Sequence, residues 1–210
     1  MDNPRLLLVD RNGALCDAWQ SAFDGLAPQV RIMRGDFRNI HDYDCIVSPG
    51  NSFGLMDGGI DEAIIQHFGP RLMAEVQNEI AVLFRGEQPV GTSIIVDIPD
   101  QSQPSQPHCL AHTPTMRAPM SISTTDNVYN AMRAMLLAVR DHNSCDGVYR
   151  EPIKTILCPG LGTGCGHMAP AEAARQMALA YRSIIDPIPD AITWAFADAR
   201  QAEIGRGGDL

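Results

Sequence analysis

Two glycine-rich stretches hold most of the residues that could do chemistry. In the first, an apolar run ending at Val47 opens into Ser48-Pro49-Gly50-Asn51-Ser52-Phe53-Gly54-Leu55-Met56-Asp57-Gly58-Gly59, then into Ile60-Asp61-Glu62-Ala63. Gly58 and Gly59 let backbone amides approach a phosphate closely at the start of a helix. Asn51 donates and accepts at once, which suits a sugar hydroxyl. Asp61 falls in the first turn of the following helix, where a carboxylate either caps the helix or works on a ligand. Spacing alone leaves both readings open. The second stretch, Cys158-Pro159-Gly160-Leu161-Gly162-Thr163-Gly164-Cys165-Gly166, repeats the pattern before a helix opening at Pro170. One tight turn needs one or two glycines, and each further one costs backbone entropy. Two such loops in one small chain point to a shared anionic ligand.

The elements around these loops decide whether they can meet. Short apolar runs at Arg5–Val9, Val30–Met33, Cys45–Val47, Ser93–Ile98, Cys109–His112 and Lys154–Cys158 read as strands. Helical spacing covers Asn12–Phe23, Gly59–Phe68, a helix from Pro70 through Leu83, about Thr125–His142, and Pro170–Ile185. The polar, proline-rich segment Pro99–Pro107 reads as a loop or hairpin excursion. Strands alternate with helices, which argues a mostly parallel sheet covered on both faces. Ligands of such sheets bind beyond the carboxyl ends of strands, where both glycine loops fall. No internal repeat or linker appears, so residues 1–204 are expected to form one domain and 205–210 a disordered tail.

Composition narrows the partners. The chain has 210 residues and a formal net charge of −9, with no lysine or arginine run. Polymeric nucleic acid wants a basic surface, so it is not an expected partner. A small anion remains open, because amide dipoles at a helix start hold phosphate without basic side chains. No apolar stretch is long enough to span a bilayer, and no secretory leader is read, so the expected place is the cytoplasm, or the nucleus of a cell that has one. The six cysteines form no CxxC pair and read as reduced thiols. His108, Cys109 and His112 lie close together, but no three- or four-ligand zinc set can be assembled, so no metal or cofactor is expected. His112 reads as a core or rim residue. Arg117 reads equally as a rim contact to phosphate or as an unpartnered surface cation, and is not counted among the site residues.

Rival glycine motifs fail on detail. Neither loop carries the lysine of a P-loop. The dinucleotide fingerprint fits poorly, since its third glycine would fall at Cys165 or His167. Asp10-Arg11-Asn12-Gly13 has asparagine where a haloacid-dehalogenase-like phosphatase needs its second aspartate, and reads as a capped helix start.

IVSPGNSFGLMDGGIDEAI resembles the first ligand loop of macrodomains, usually written Asn-Ala-Ala-Asn followed by a glycine run, an aliphatic residue and aspartate. LCPGLGTGCGHMAPAEAARQMALAY resembles their phosphate-binding loop and the helix after it, and Arg34-Gly35-Asp36-Phe37 resembles the Gly-Asp-Ile-Thr segment upstream. All three stand in the family's order, over about two-thirds of the chain. The resemblance implies a three-layer α/β/α fold with a mixed, mostly parallel central sheet. It implies ADP-ribose or a derivative as ligand, with an ADP-ribosylated protein as a candidate partner. By the same resemblance Asp36 would recognise the adenine amino group, with the Phe37 backbone beside it. Asn51 would hold the distal ribose, and Gly58, Gly59 and Ile60 would lie against that ribose and the diphosphate. Gly162, Thr163, Gly164, Cys165 and Gly166 would wrap the diphosphate. Asp61 would orient or activate water at the ribose anomeric carbon, making Asn51 and Asp61 the catalytic candidates of an ADP-ribosyl hydrolase. The alternative is a reader that binds without chemistry. Ser48 replaces the motif's first asparagine, Leu55-Met56-Asp57 stands where hydrolytic members often carry further glycines, and Gly166-His167-Met168 replaces the usual aromatic. Asp57, repulsive to phosphate, is expected to point away.

Overall fold

A computed structural model describes residues 4–26, 28–99, 107–144 and 151–205. The strands are β1 (Arg5–Asp10), β2 (Val30–Arg34), β3 (Cys45–Ser48), β4 (Ile94–Asp97), β5 (Cys109–His112) and β6 (Thr155–Cys158). The helices are α1 (Gly13–Ala22), α2 (Gly59–Phe68), α3 (Arg71–Phe84), α4 (Asn127–Ser144), α5 (Pro170–Ile185) and α6 (Trp194–Gly205). The strands form one sheet in the order β2-β1-β6-β3-β5-β4. All neighbours pair in parallel except β4 and β5.

Strand side chains alternate between the two faces, and the core splits accordingly. Leu6 and Leu8 of β1, Cys45 and Val47 of β3, and Ile156 and Cys158 of β6 pack toward one core with Leu15 and Trp19 of α1 and the inner faces of α4 and α5. Val9, Ile46, Leu110 and Leu157 pack the other way, against Ile64 of α2 and Leu72, Val76 and Ile80 of α3. That is the expected three-layer arrangement. The continuous apolar runs in β3, β5 and β6 reflect strands buried on both faces.

Helix starts set the geometry at the loops. Asn12 caps α1 by accepting from the Ala14 and Leu15 amides, as its sequence implied. Buried Gln176 of α5 reaches α4, donating to the Thr125 carbonyl at 2.8 Å and accepting from the Tyr129 amide at 3.0 Å. The second glycine loop is thereby held between two docked helices.

One element escaped the sequence. Helix α6 carries no apolar stripe: Trp194 is exposed, and Ile204 is its buried residue. What holds it is tertiary: the Arg175 guanidinium donates to the Glu203 and Ile204 carbonyls at the helix end, at 2.8 and 2.6 Å. Gly205, assigned above to a tail, closes this helix, and the rest of that tail lies outside the described residues. So do residues 100–106 of the proline-rich excursion, and Cys145. The other five cysteines are free thiols, Cys165 being exposed. Among the described residues no helix is long and apolar enough to cross a membrane.

Candidate functional site

Strands β1, β6 and β3 are neighbours, and their carboxyl ends open into the segments around Arg11, Gly160 and Gly50. Over these ends lies a cavity of about 550 Å³, lined by Asp10, Arg11, Asp36, Phe37, Gly59, Ile60, Gly160, Thr163 and Gly164 among others. A smaller hollow of about 150 Å³ is lined by Asn51, Asp57, Gly58, Asp61, Cys165 and Gly166 and shares Gly59, Ile60, Gly160 and Gly164 with the first. Together they form one groove passing between the two glycine loops. A larger hollow of about 700 Å³ sits at the opposite end of the sheet, between Ser144 and Pro152, away from both loops.

The first loop is braced from within. Asn51 is buried; its amide nitrogen donates to the Leu55 carbonyl at 2.7 Å, and its oxygen accepts from the Phe53 and Leu55 amides at 3.1 and 3.3 Å. Expected only as a ribose ligand, Asn51 is first the staple of its own loop, with one amide hydrogen left over. The loop delivers Gly58 as the N-cap of α2, with no side-chain cap on that helix. Gly59 adopts φ +60°, which a side chain would disfavour. A Cβ on Gly58 or Gly59 would meet nothing within 4 Å, so the helix's first amides lie open to the groove.

Asp61 does not cap that helix. It is buried, and its Oδ1 accepts from the Ser48 hydroxyl of β3 at 2.8 Å. Burial raises its pKa to about 6, against the opposing hydrogen bond from Ser48. Of the two readings, the cap is set aside by orientation: the carboxyl faces inward and edges the smaller hollow. Asp57, expected to point away, is exposed and sits on the rim of the same hollow.

The glycines of the second loop divide into two kinds. A Cβ on Gly160 would crowd Leu15, Asp10 and Thr163, one on Gly162 would crowd Val128 and Ile122, and one on Gly166 would run into the Gly162 carbonyl. Packing therefore accounts for three of the four glycines, which the composition argument had not credited to packing. Gly164 differs: nothing lies within 4 Å of its would-be Cβ, and it lines both hollows. The loop closes on itself through Met168 N–H to Gly162 O at 3.0 Å and His167 N–H to Gly164 O at 2.9 Å. Thr163 edges the larger cavity, and Cys165 is exposed.

At the far end, Asp36 caps the short 3-10 turn Phe37–Asn39 and gathers two arginines. Arg38 donates to it through Nη2 at 2.6 Å and Nε at 3.1 Å, and Arg11 Nη2 also bonds it. The Arg38 hydrogen bond, with Arg11 assisting, holds the Asp36 carboxyl well below the usual carboxylate range. Phe37 is buried edge-on against the His67 ring.

Three residues named in the sequence have site roles that it did not show. Asp10 ends β1 and accepts from the Gly160 amide at 3.2 Å, tying β1 to the second loop. Ser48 serves Asp61 where an asparagine was expected. His112 is fully buried, with Nδ1 bonded to Gln88 Oε1 at 2.7 Å. An aspartate at a strand's carboxyl end was a legible signal; the His112–Gln88 pairing was not. Among the described residues no group of three His, Cys, Asp or Glu side chains is arranged to hold a metal ion.

Comparison with known proteins places this geometry. The family model described as Macro domain matches residues 47–177. An uncharacterized protein of Aquifex aeolicus is 28% identical over 148 residues, 70% of this chain and 78% of that protein. Among solved structures, the macrodomain of Mycobacterium tuberculosis DarG is similar at a TM-score of 0.57 with 20% identity, over 72% of this chain and 89% of that one. A mutant Oceanobacillus iheyensis macrodomain with ADPR is similar at a TM-score of 0.54 with 19% identity, over 86% and 78%.

Proposed function

From the premise that this chain belongs to the macrodomain family, we propose that it binds ADP-ribose across the two loops and hydrolyses an ADP-ribosyl bond. The observation that carries this reading is the groove itself. Open amides at Gly58, Gly59 and Gly164 flank its middle, and a buried carboxyl, Asp61, stands at one end. Fixed N–H dipoles replace lysines, which lets a chain of net charge −9 take a dianion. The Oceanobacillus macrodomain mutant with ADPR supports the same ligand class.

In this reading the diphosphate lies between Gly59 and Gly164, the adenosine end in the larger cavity and the distal ribose in the smaller hollow. The spare amide hydrogen of Asn51 holds a ribose hydroxyl. Water attacks the anomeric carbon, Asp61 takes its proton, and the ADP-ribosyl bond breaks with its electron pair leaving on a carboxylate or phosphate. Such leaving groups depart without strong protonation, so one acid–base residue suffices. Small ADP-ribose derivatives and mono-ADP-ribosylated acidic proteins both fit that chemistry.

Isothermal titration tests the ligand. ADP-ribose is expected to bind more than tenfold, or about 1.4 kcal/mol, better than AMP, NAD or ribose 5-phosphate, because AMP and ribose 5-phosphate forgo part of the grip and NAD carries a nicotinamide on the anomeric carbon. Equal affinity for AMP and ADP-ribose would remove the case for a distal-ribose site. Tight ADP-ribose binding with no turnover on ADP-ribose 1″-phosphate, acetyl-ADP-ribose or a modified acidic protein would place the chain among readers.

The adenine end has its own test. Arg11 and Arg38 are both exposed, and both must share Asp36 with an incoming amino group. Asp36→Ala is expected to weaken ADP-ribose by about 1–3 kcal/mol while leaving ribose 5-phosphate unchanged. Unchanged ADP-ribose affinity in titration would remove Asp36 from the adenine contact.

A further inference from the structure

Behind the first loop sits a polar group that the proposed chemistry has not used. His112, at the end of β5, is fully buried, and its Nε2 has no hydrogen-bond partner. A buried acceptor left bare is costly, so its placement calls for a physical account. The direction of that atom is known from Gly50: a Cβ there would lie 2.8 Å from His112 Nε2 and 2.9 Å from Asp61 Oδ2. Nε2 and Oδ2 therefore lie near each other across Gly50, which has no side chain to separate them. They are too far apart for a direct bond and near enough for a single water to join them.

The ring's proton can be assigned. Gln88 Nε2 donates to the His112 carbonyl at 3.2 Å, which turns its Oε1 toward His112 Nδ1 at 2.7 Å. Flipping the amide would set two oxygens against each other. Oε1 only accepts, so Nδ1 carries the hydrogen and Nε2 presents a lone pair. Burial also pushes the imidazole down to about 4, which keeps it neutral. On the other side Asp61 Oδ1 is taken by the Ser48 hydroxyl, so a proton on Asp61 belongs on Oδ2, the oxygen facing His112.

We infer that His112 is a positioning residue for Asp61: its Nε2 lone pair, fixed by Gln88, receives the Asp61 Oδ2 proton through one bridging water. This rests on Asp61 being the acid–base group of the site, as proposed above. The consequence is chemical. When the attacking water gives its proton to Asp61 Oδ2, the new O–H finds an acceptor already in place, and no net charge is left in the buried pocket. Asp61 becomes a stronger base than a carboxylate held by Ser48 alone. The other ionisable groups on the neighbouring elements have partners of their own or are exposed. Glu62 of α2 bonds Gln66, Glu87 bonds Arg117 at 2.7 Å, and Asp57, Cys165 and His167 are exposed.

The test uses the whole protein and does not need turnover. Nitrogen-15 shifts of His112 in the wild type should show Nδ1 protonated and Nε2 bare at neutral pH; a proton on Nε2 overturns the inference. Burial, opposed by Ser48, raises the Asp61 carboxyl to about 6, so carbon-13 titration should give a midpoint at or above that in the wild type. His112→Phe removes the lone pair, and Gln88→Leu frees the ring to move its hydrogen to Nε2. Both changes favour the carboxylate, so in each the midpoint should fall by about 1 pH unit. A midpoint that stays or rises in a folded variant overturns the pairing. Hydrolysis measured alongside keeps the two ideas apart. A shifted midpoint without any wild-type hydrolysis sinks the hydrolase reading alone, whereas normal hydrolysis with an unmoved midpoint sinks the His112 pairing alone.

Discussion

Asp61→Ala should cost about 10²–10⁴-fold in turnover while ADP-ribose binding largely survives. The carboxyl stands at the end of the groove, away from the open amides of Gly58, Gly59 and Gly164 that would hold the diphosphate. Losing it therefore removes the proton acceptor without loosening the grip. The fold should tolerate the change, because a buried carboxyl raised to about 6 sits at a cost in its charged form. The same value gives the pH dependence its sign. A group that must accept a proton works only when ionised, so turnover should climb as pH rises through about 6 and level off above it. Release of ADP-ribose from a modified acidic protein, followed from pH 5 to 8 in wild type and Asp61→Ala, reads both effects. Turnover surviving in the variant would falsify the assignment of Asp61 and leave the enzyme reading standing.

A paired substitution should separate ligand contact from packing in the second loop. Gly164→Val places a branched side chain in the groove, where nothing now lies within 4 Å of its Cβ. Affinity for ADP-ribose should fall at least tenfold, about 1.4 kcal/mol, with stability changed by no more than about 0.5 kcal/mol. Gly166→Ala should do the reverse in kind. Its Cβ meets the Gly162 carbonyl and comes within 2.9 Å of Ile122, a collision with backbone that cannot be relieved by a rotamer. Overpacking of this sort costs about 1–3 kcal/mol in denaturant unfolding. If Gly164→Val binds normally at normal stability, the diphosphate does not pass that amide.

The sequence showed the fold wherever a local pattern carried the information. Period-two and continuous apolar runs located all six strands, and the 3.6-residue pattern located α1 to α5 to within a few residues. It could not show α6, whose stability comes from the Arg175 guanidinium on its last carbonyls rather than from an apolar stripe. At the candidate site, Asn51, Asp61 and the glycines stood out because backbone approach to a ligand leaves a composition signature, and Asp36 stood out through its resemblance to the macrodomain motif. Their local duties were not. Asn51 as a staple and Gly160, Gly162 and Gly166 as packing residues depend on what crosses above them, which periodicity does not encode. His112 and Gln88 meet because the antiparallel pairing of β4 with β5 carries the chain back beside the first loop. Nothing in the spacing of those two residues announces it.

The Asn51 staple has a kinetic consequence. Its three hydrogen bonds close the first loop in the unliganded protein, so a ligand meets a cradle already built rather than one it must assemble. The ordering entropy of Phe53 to Leu55 is then settled at folding and is not charged again at each encounter. Association should follow simple second-order behaviour, with no slow isomerisation after contact and a rate governed by diffusion and orientation. Among ligands that differ in how much of the groove they fill, the association rates should stay close together. Their affinities would then be ranked by residence time.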